Sequence, residues 1–155
     1  MAKILLRMFS TRMFCSLSVR ERGAVTEAIR IALIARGPTS DAERLELRRR
    51  LLSLPWAWEQ SPTSDRPSGL ACDLLAHVED PAILAPIAMS IASALHHVEL
   101  RENLLRAMLA LALADGSTER DLAMLEPFRT ALSISRARAE ELLDDLKNEL
   151  VSLVQ

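Results

Sequence analysis

Carboxylates around a glycine turn are the residues of this chain that come nearest to a binding site. Asp115 precedes Gly116, and Glu119 and Asp121 follow within five residues. Oxygen ligands of this kind bind hard divalent cations, so Asp115 and Asp121 are candidate metal ligands. An EF-hand is excluded, because its loop places acids at positions 1, 3 and 5 before a glycine at position 6. Here the glycine directly follows the first Asp.

The same residues also have a structural interpretation that needs no ligand. Gly116 would supply the positive φ that ends one helix, and Asp115 would hydrogen-bond the turn. Glu119 and Asp121 would then favour the positive end of the following helix. The sequence leaves both the cation site and the simple turn open.

The histidines and cysteines predict no catalytic or metal centre. His96 and His97 are adjacent, so on a helix they point about 100° apart and cannot chelate one metal ion together. Cys15 and Cys72 are isolated thiols, which exclude a disulfide framework or zinc set and favour a reducing compartment. The chain also lacks a nucleophile elbow, a phosphate-binding glycine loop and a His-Glu-x-x-His motif. We therefore expect a protein that is not an enzyme and that needs no cofactor.

The composition predicts an all-α protein. Half of the 155 residues are hydrophobic, but only 3% are aromatic, tyrosine is absent and there are four glycines. Ala and Leu supply the apolar content, and these residues favour helices over strands. A chain of this length is expected to form one compact domain with its own core.

Capping signals divide the chain into about seven helices. Capping boxes open helices at Ser18 and at Ser40, and Asp80 with Pro81 opens another. Further helices are expected over about 68–78 and 99–114, after Thr118 with Pro127 inside, and from Ser135 onward. Residues 55–69 hold three of the seven prolines and are expected to form an internal loop.

The stretch from Pro81 to Val98 carries no charged side chain. Its uniformly apolar part covers only about 14 residues, which is short for a membrane span. A helix that is apolar on all sides is more simply a central core helix. We therefore expect two helical hairpins to pack around a helix over Pro81–Val98.

Two similar segments suggest that these hairpins are an internal repeat. A helix end, a glycine turn and spaced leucines recur at an offset of 79 or 80 residues, with one residue deleted in the second turn. The matching pairs are Ala35 and Ala114, Gly37 and Gly116, Leu45 and Leu125, and Leu52 and Leu132.

The second repeat resembles the tellurite-resistance TerB-like domains, which include the N-terminal domain of DjlA-type co-chaperones. The resemblance lies in an apolar helix ending in Ala-Asp-Gly, an acid, spaced leucines and Leu-Ser-Ile-Ser at 132–135. It covers about 104–146 well and 29–54 more weakly. It implies an all-helical fold with internal pseudo-symmetry and a module that acts in stress response or as a scaffold through protein contacts.

The resemblance also bears on the cation site, because the acids of the family's turn are proposed to bind metal. In this chain the second repeat keeps Asp115 and Gly116, with Asp121 in place of a Glu. The first repeat keeps Gly37 but has Arg36 where the family's Asp would stand. A guanidinium repels a cation, so a paired site that uses both repeats is not expected.

Residues 1–17 form a basic segment in front of the domain, which is assigned to 18–155. Lys3, Arg7 and Arg12 alternate with Ile, Leu, Met and Phe, and no acid precedes Glu21. Such a pattern is typical of a mitochondrial targeting peptide, of an interfacial membrane helix, or of a lead-in helix that docks on the domain. All three interpretations stay open.

The charge distribution favours protein partners. Residues 1–50 carry a net charge of +6 and residues 51–155 a net charge of −8, which suits complementary partners or self-association. Nucleic acid is not expected, because no aromatic residues interleave with the basic cluster, and no small-molecule substrate is indicated. The expected location is the cytoplasm. The alternative is a peripheral membrane or organelle-targeted protein whose basic segment directs its localisation.

Overall fold

The computed structural model describes residues 16–34, 80–114 and 119–154, and within them it contains helices and no strand. The α-helices of these ranges are α1 (Val19–Ile34), α2 (Ala85–Ser93), α3 (Val98–Ala114), α4 (Glu119–Ala131) and α5 (Arg136–Val154). A short 3₁₀ helix, Pro81–Leu84, directly precedes α2. The predicted all-α class is confirmed for this part of the chain.

Several expected elements lie outside the described residues. They are the second capping box at Ser40, the 55–69 loop, the helix over 68–78, the first copy of the repeat and the Asp115-Gly116 turn. The predicted total of about seven helices and the pseudo-repeat stay predictions. Of the helices that are described, none is long and apolar enough to cross a membrane.

The predicted capping box opens α1. The Ser18 hydroxyl accepts a hydrogen bond from the Glu21 N–H at 3.2 Å, and the Glu21 carboxylate accepts one from the Ser18 N–H at 2.7 Å. Two N–H groups that a helix start leaves unpaired are thereby satisfied. Val25, Ala28 and Ile29 follow at helical spacing and are fully buried, which fixes the inward face of α1.

The segment after Asp80 begins as predicted but is not a single helix. The Asp80 carboxylate accepts a hydrogen bond from the Ala82 N–H at 2.9 Å, with Pro81 at the first helical position. After α2 ends at Ser93, residues 94–97 are not helical, and α3 begins at Val98. The prediction of one helix over Pro81–Val98 is therefore wrong.

That segment is also not buried on all sides. Its inward residues recur at helical spacing and are buried: Leu84, Ala88, Ile91, Ala92 and Leu95. Between them, Ile83 and Met89 are each 60% exposed. The lack of charge in this segment suggested that every side of it is buried. Instead, apolar residues occupy its exposed outward face as well as its buried inward face.

The buried centre of the described part is α3. Every residue from Leu104 to Ala112 is buried except Arg106, which is partly exposed. α3 contacts α1, α4 and α5. The helix can occupy the centre despite its charged residues, because Glu102 and Arg106 form ion pairs with α5.

A Schellman motif ends α4 without a glycine. Ser133 has a φ of 59°, and its N–H donates to the Thr130 carbonyl at 3.0 Å. The Ile134 N–H donates to the Arg129 carbonyl at 3.1 Å, which completes the motif. Ile134, the residue after this turn, is buried in the same core cluster as Phe128. The turn is therefore held by apolar burial as well as by hydrogen bonds.

Two further predictions are confirmed around this turn. The Ser135 hydroxyl accepts a hydrogen bond from the Arg138 N–H at 3.1 Å, and α5 begins at Arg136. Pro127 lies inside α4. Since proline has no N–H, it cannot donate to the carbonyl of Ala123, four residues earlier.

Candidate functional site

The two residues predicted to bind a cation are not brought together by the described part of the chain. Asp115 lies outside it. Asp121 lies in the first turn of α4, but its side chain is not described. Over 16–34, 80–114 and 119–154, no group of three His, Cys, Asp or Glu side chains could hold a metal ion. The cation site at Asp115 and Asp121 stays a prediction.

The feature that a partner could recognise is the outward surface of α2, which we call the α2 face. It consists of Ile83, Pro86, Ile87, Met89 and Ser90, all of which are exposed. No charged side chain occurs between Pro81 and Val98. Clustered exposed apolar side chains without charges are typical of interaction sites rather than of ordinary solvated surface.

One arginine fixes the carboxyl end of α2. Arg101 donates from Nε to the Leu95 carbonyl at 2.7 Å, from Nη2 to the Ala92 carbonyl at 3.3 Å and from Nη1 to the Leu132 carbonyl at 3.4 Å. These carbonyls lie where α2 and α4 end, and helix ends carry partial negative charge. The Arg101 side chain thus joins the carboxyl ends of α2 and α4, which holds the α2 face in one orientation.

Helix α1 contacts α2, and its first turn is within electrostatic reach of the residues that follow α2. The pKa of Glu21 is lowered from its usual value of 4.5, mainly because the Ser18 N–H donates to the carboxylate. His97 and His96, which follow α2, lower it further by electrostatic attraction. The described part of the chain, which begins at residue 16, therefore starts on the side of the domain where α2 ends.

The surface where α3 and α5 meet carries paired charges. Arg138 of α5 donates to both carboxylate oxygens of Glu102 of α3, at 3.1 and 3.0 Å, and to Glu141 at 2.8 Å. These hydrogen bonds lower the pKa of Glu102 and raise that of Arg138. Arg106 of α3 forms a second ion pair with Glu149 of α5. The pairs with Glu102 and Glu149 each join α3 to α5.

Sequence reasoning did not identify the α2 face or the role of Arg101. The inward residues of α2 do follow a helical period, but apolar residues at the outward positions conceal it. No spacing of apolar residues separates the two faces, because Ala85 and Ile87 are exposed while Ala88 and Ile91 are buried. The role of Arg101 has no signal in the sequence either, because its acceptors are backbone carbonyls and one of them belongs to Leu132, which follows α4 and is distant in sequence.

No protein-family model matches this chain, and no curated protein or solved structure matches it significantly. A functional proposal therefore depends on the geometry of the α2 face and on the sequence pattern of the second repeat.

Proposed function

We propose that this chain is a TerB-like helical module without catalytic activity, which acts in the cytoplasm through protein contacts. Its role would be in a stress response or as a scaffold, as the resemblance over 104–146 implies. The observation that supports the proposal most directly is the α2 face. Its apolar side chains are exposed, while the opposite side of the same helix is anchored in the core.

The chemistry of the α2 face favours a protein over a lipid surface. Binding to anionic membranes uses Lys and Arg around the apolar residues, and the stretch from Pro81 to Val98 has neither. Interface centres in protein complexes are likewise depleted of charge and rich in residues such as Met. We therefore propose a protein partner that buries Ile83 and Met89 under its own apolar side chains.

A matched pair of substitutions tests this function. Met89 on α2 and Val151 on α5 are both apolar, helical and 60% exposed. Tagged full-length protein carrying Met89→Asp or Val151→Asp would be recovered from its own cells after mild chemical cross-linking. We expect the amount of specific partner recovered with Met89→Asp to fall at least about tenfold, since one buried apolar side chain contributes that much to affinity. Val151→Asp should retain them, and equal recovery from both variants would reject the α2 face as the contact surface.

Deletion of residues 1–15, which keeps the buried Leu17, separates this function from the membrane or organelle-targeting alternative. The proposed module keeps its fold and its ability to bind partners without that segment. Altered localisation of the truncated protein, with partner binding intact, would support the alternative instead.

The proposal includes a divalent cation site at Asp115 and Asp121, and no other cofactor. Carboxylates at a helix-opening turn suit a hard cation, and the simple turn is the competing interpretation. Titration calorimetry with Ca²⁺, Mg²⁺, Mn²⁺ and Zn²⁺ decides between them. Binding heat and a raised melting temperature that disappear in Asp121→Asn would support the site. No heat and no change in melting temperature with any of the four ions would reject it.

A further inference from the structure

The N-terminal segment is tethered next to the α2 face. Leu17 is buried in the core, and Ser18 caps α1. Helix α1 contacts α2, and His97 and His96, which follow α2, act electrostatically on the Glu21 carboxylate in the first turn of α1 and lower its pKa. Residues 1–16 are therefore attached to the domain close to the carboxyl end of α2.

The pattern of residues 1–11 suits the surface beside this attachment point. On a helix, one side would be apolar at positions i, i+3, i+4, i+7 and i+8, and the opposite side polar or basic. The apolar side is Met1, Ile4, Leu5, Met8 and Phe9, and the opposite side holds Lys3, Arg7, Ser10 and Thr11 together with one apolar residue, Leu6. Such an apolar stripe needs an uncharged apolar surface to pack against, and the α2 face is one.

The lengths and charges also agree. A helix of eleven residues is about 17 Å long, and the 3₁₀ helix with α2 spans about 22 Å. With residues 12–16 as the connection, the segment can turn back at the start of α1 and lie along α2, with its own direction parallel to that of α2. Lys3 would then lie towards Asp80, an exposed carboxylate at the other end of the α2 face.

We propose that residues 1–11 dock as an amphipathic helix on the α2 face of the same chain. Tethering raises the local concentration of such a segment to about the millimolar range, so the contact fills the face without high intrinsic affinity. A partner protein has to displace the segment to reach Met89, which makes the docked segment a regulator of partner binding. That regulatory role rests on the proposed function, whereas the docking itself does not.

Photo-cross-linking in the purified full-length protein tests the docking. A benzophenone amino acid replaces Met89 in one protein and Val151 in the control, and each is irradiated as a mixture of ¹⁴N- and ¹⁵N-labelled chains. We expect the probe at position 89 to cross-link to residues 1–11 of its own chain and the probe at position 151 not to do so. Cross-links between light and heavy chains would assign the face to a second copy and overturn the proposal. Absence of cross-links to 1–11 would also overturn it.

Two variants of the segment identify the forces involved. Leu5→Asp combined with Phe9→Asp should reduce the cross-link at least about tenfold, since it removes two buried apolar side chains. Lys3→Gln combined with Arg7→Gln should reduce it by less than about fivefold, since exposed ion pairs contribute little. Equal losses in both variants would contradict docking through the apolar stripe.

The readout involves no partner, so the two proposals can fail separately. Loss of partner recovery in Met89→Asp without a cross-link to residues 1–11 would reject the docking and keep the proposed function. A cross-link to residues 1–11 together with unchanged partner recovery in Met89→Asp would support the docking and reject the proposed function.

Discussion

Arg101 and Leu132 lie 31 positions apart in the chain, yet the Arg101 guanidinium donates to the Leu132 carbonyl at 3.4 Å. The same side chain donates to carbonyls at the end of α2. Arg101→Met keeps most of the aliphatic stem but removes all three hydrogen bonds. We expect it to lower the free energy of unfolding by about 2–4 kcal/mol, because helix-end carbonyls lose a charged donor.

Urea denaturation followed by circular dichroism measures this loss, with Arg136→Met as the control. Arg136 is 76% exposed and lies 3.5 Å from Glu126, and such surface pairs contribute about 0–1 kcal/mol. Equal destabilisation by the two substitutions would contradict the assigned role of Arg101.

Ser133→Gly is expected to stabilise the protein by about 0.5–1 kcal/mol. Ser133 has a φ of 59°, a region that costs residues with a Cβ atom about 1–2 kcal/mol, partly offset by the larger entropy of unfolded glycine. Ser90→Gly, inside α2, should instead destabilise by about 0.5 kcal/mol. Melting temperatures of the two variants should therefore move in opposite directions, and a shift in the same direction would count against the Schellman motif.

Adjacent substitutions in the 3₁₀ helix test the orientation of the α2 face. Leu84 is fully buried and Ile83 is 60% exposed. Leu84→Ala should lower the free energy of unfolding by about 2–5 kcal/mol, through lost burial and a cavity. Ile83→Ala should lower it by less than about 1 kcal/mol. If denaturation curves show a larger loss for Ile83→Ala than for Leu84→Ala, then Ile83 is the buried residue and the orientation of this segment is wrong.

Acid should destabilise the protein below about pH 4.5. Glu21, Glu102 and Glu126 have pKa values below their usual 4.5, mainly because a backbone N–H or an arginine donates to each carboxylate. A depressed folded-state pKa means that the stabilisation is fully present above the unfolded-state pKa and is lost as pH falls through the folded-state value. The contribution of these three groups to the melting temperature should therefore be constant between pH 7 and pH 5.5 and decline below about pH 4.5.

Glu102→Gln provides the check on this pH dependence. The variant lacks one of the two carboxylate partners of Arg138 at every pH, so its melting temperature should be lower at pH 7 and decline less steeply on acidification. An acid decline as steep as that of the unmodified protein would show that the Glu102 pair does not contribute.

Local signals in the sequence were reliable where the interaction is local. The Ser18 and Ser135 caps, the Asp80-Pro81 start and the position of Pro127 inside α4 all depend on neighbours within a few residues. The end of α4 was harder, because its positive φ falls on Ser133 rather than on a glycine. Only the tertiary contact between Ile134 and the core explains why the chain turns there.

Which helix is central could not be predicted from composition. The uncharged stretch from Pro81 to Val98 suggested the centre, whereas α3, which contains Glu102 and Arg106, occupies it. The charges of α3 are tolerated because α5 supplies Arg138 and Glu149 as partners, and such pairing is invisible in the sequence of one helix. The candidate site was missed for the related reason that an apolar outward face resembles an apolar inward one.

The packing of α1 on α2 and α3 has a consequence for biosynthesis. α1 leaves the ribosome before the helices that contact it in the folded protein. Ala114, the last residue of α3, is synthesised about 80 residues after Ile34, an interval on the order of 4–16 s at common elongation rates. Until the end of that interval Val25 and Ile29 lack part of the set of helices that α1 contacts in the folded protein. The nascent chain therefore presents the apolar side of α1 early and completes its core only late in translation.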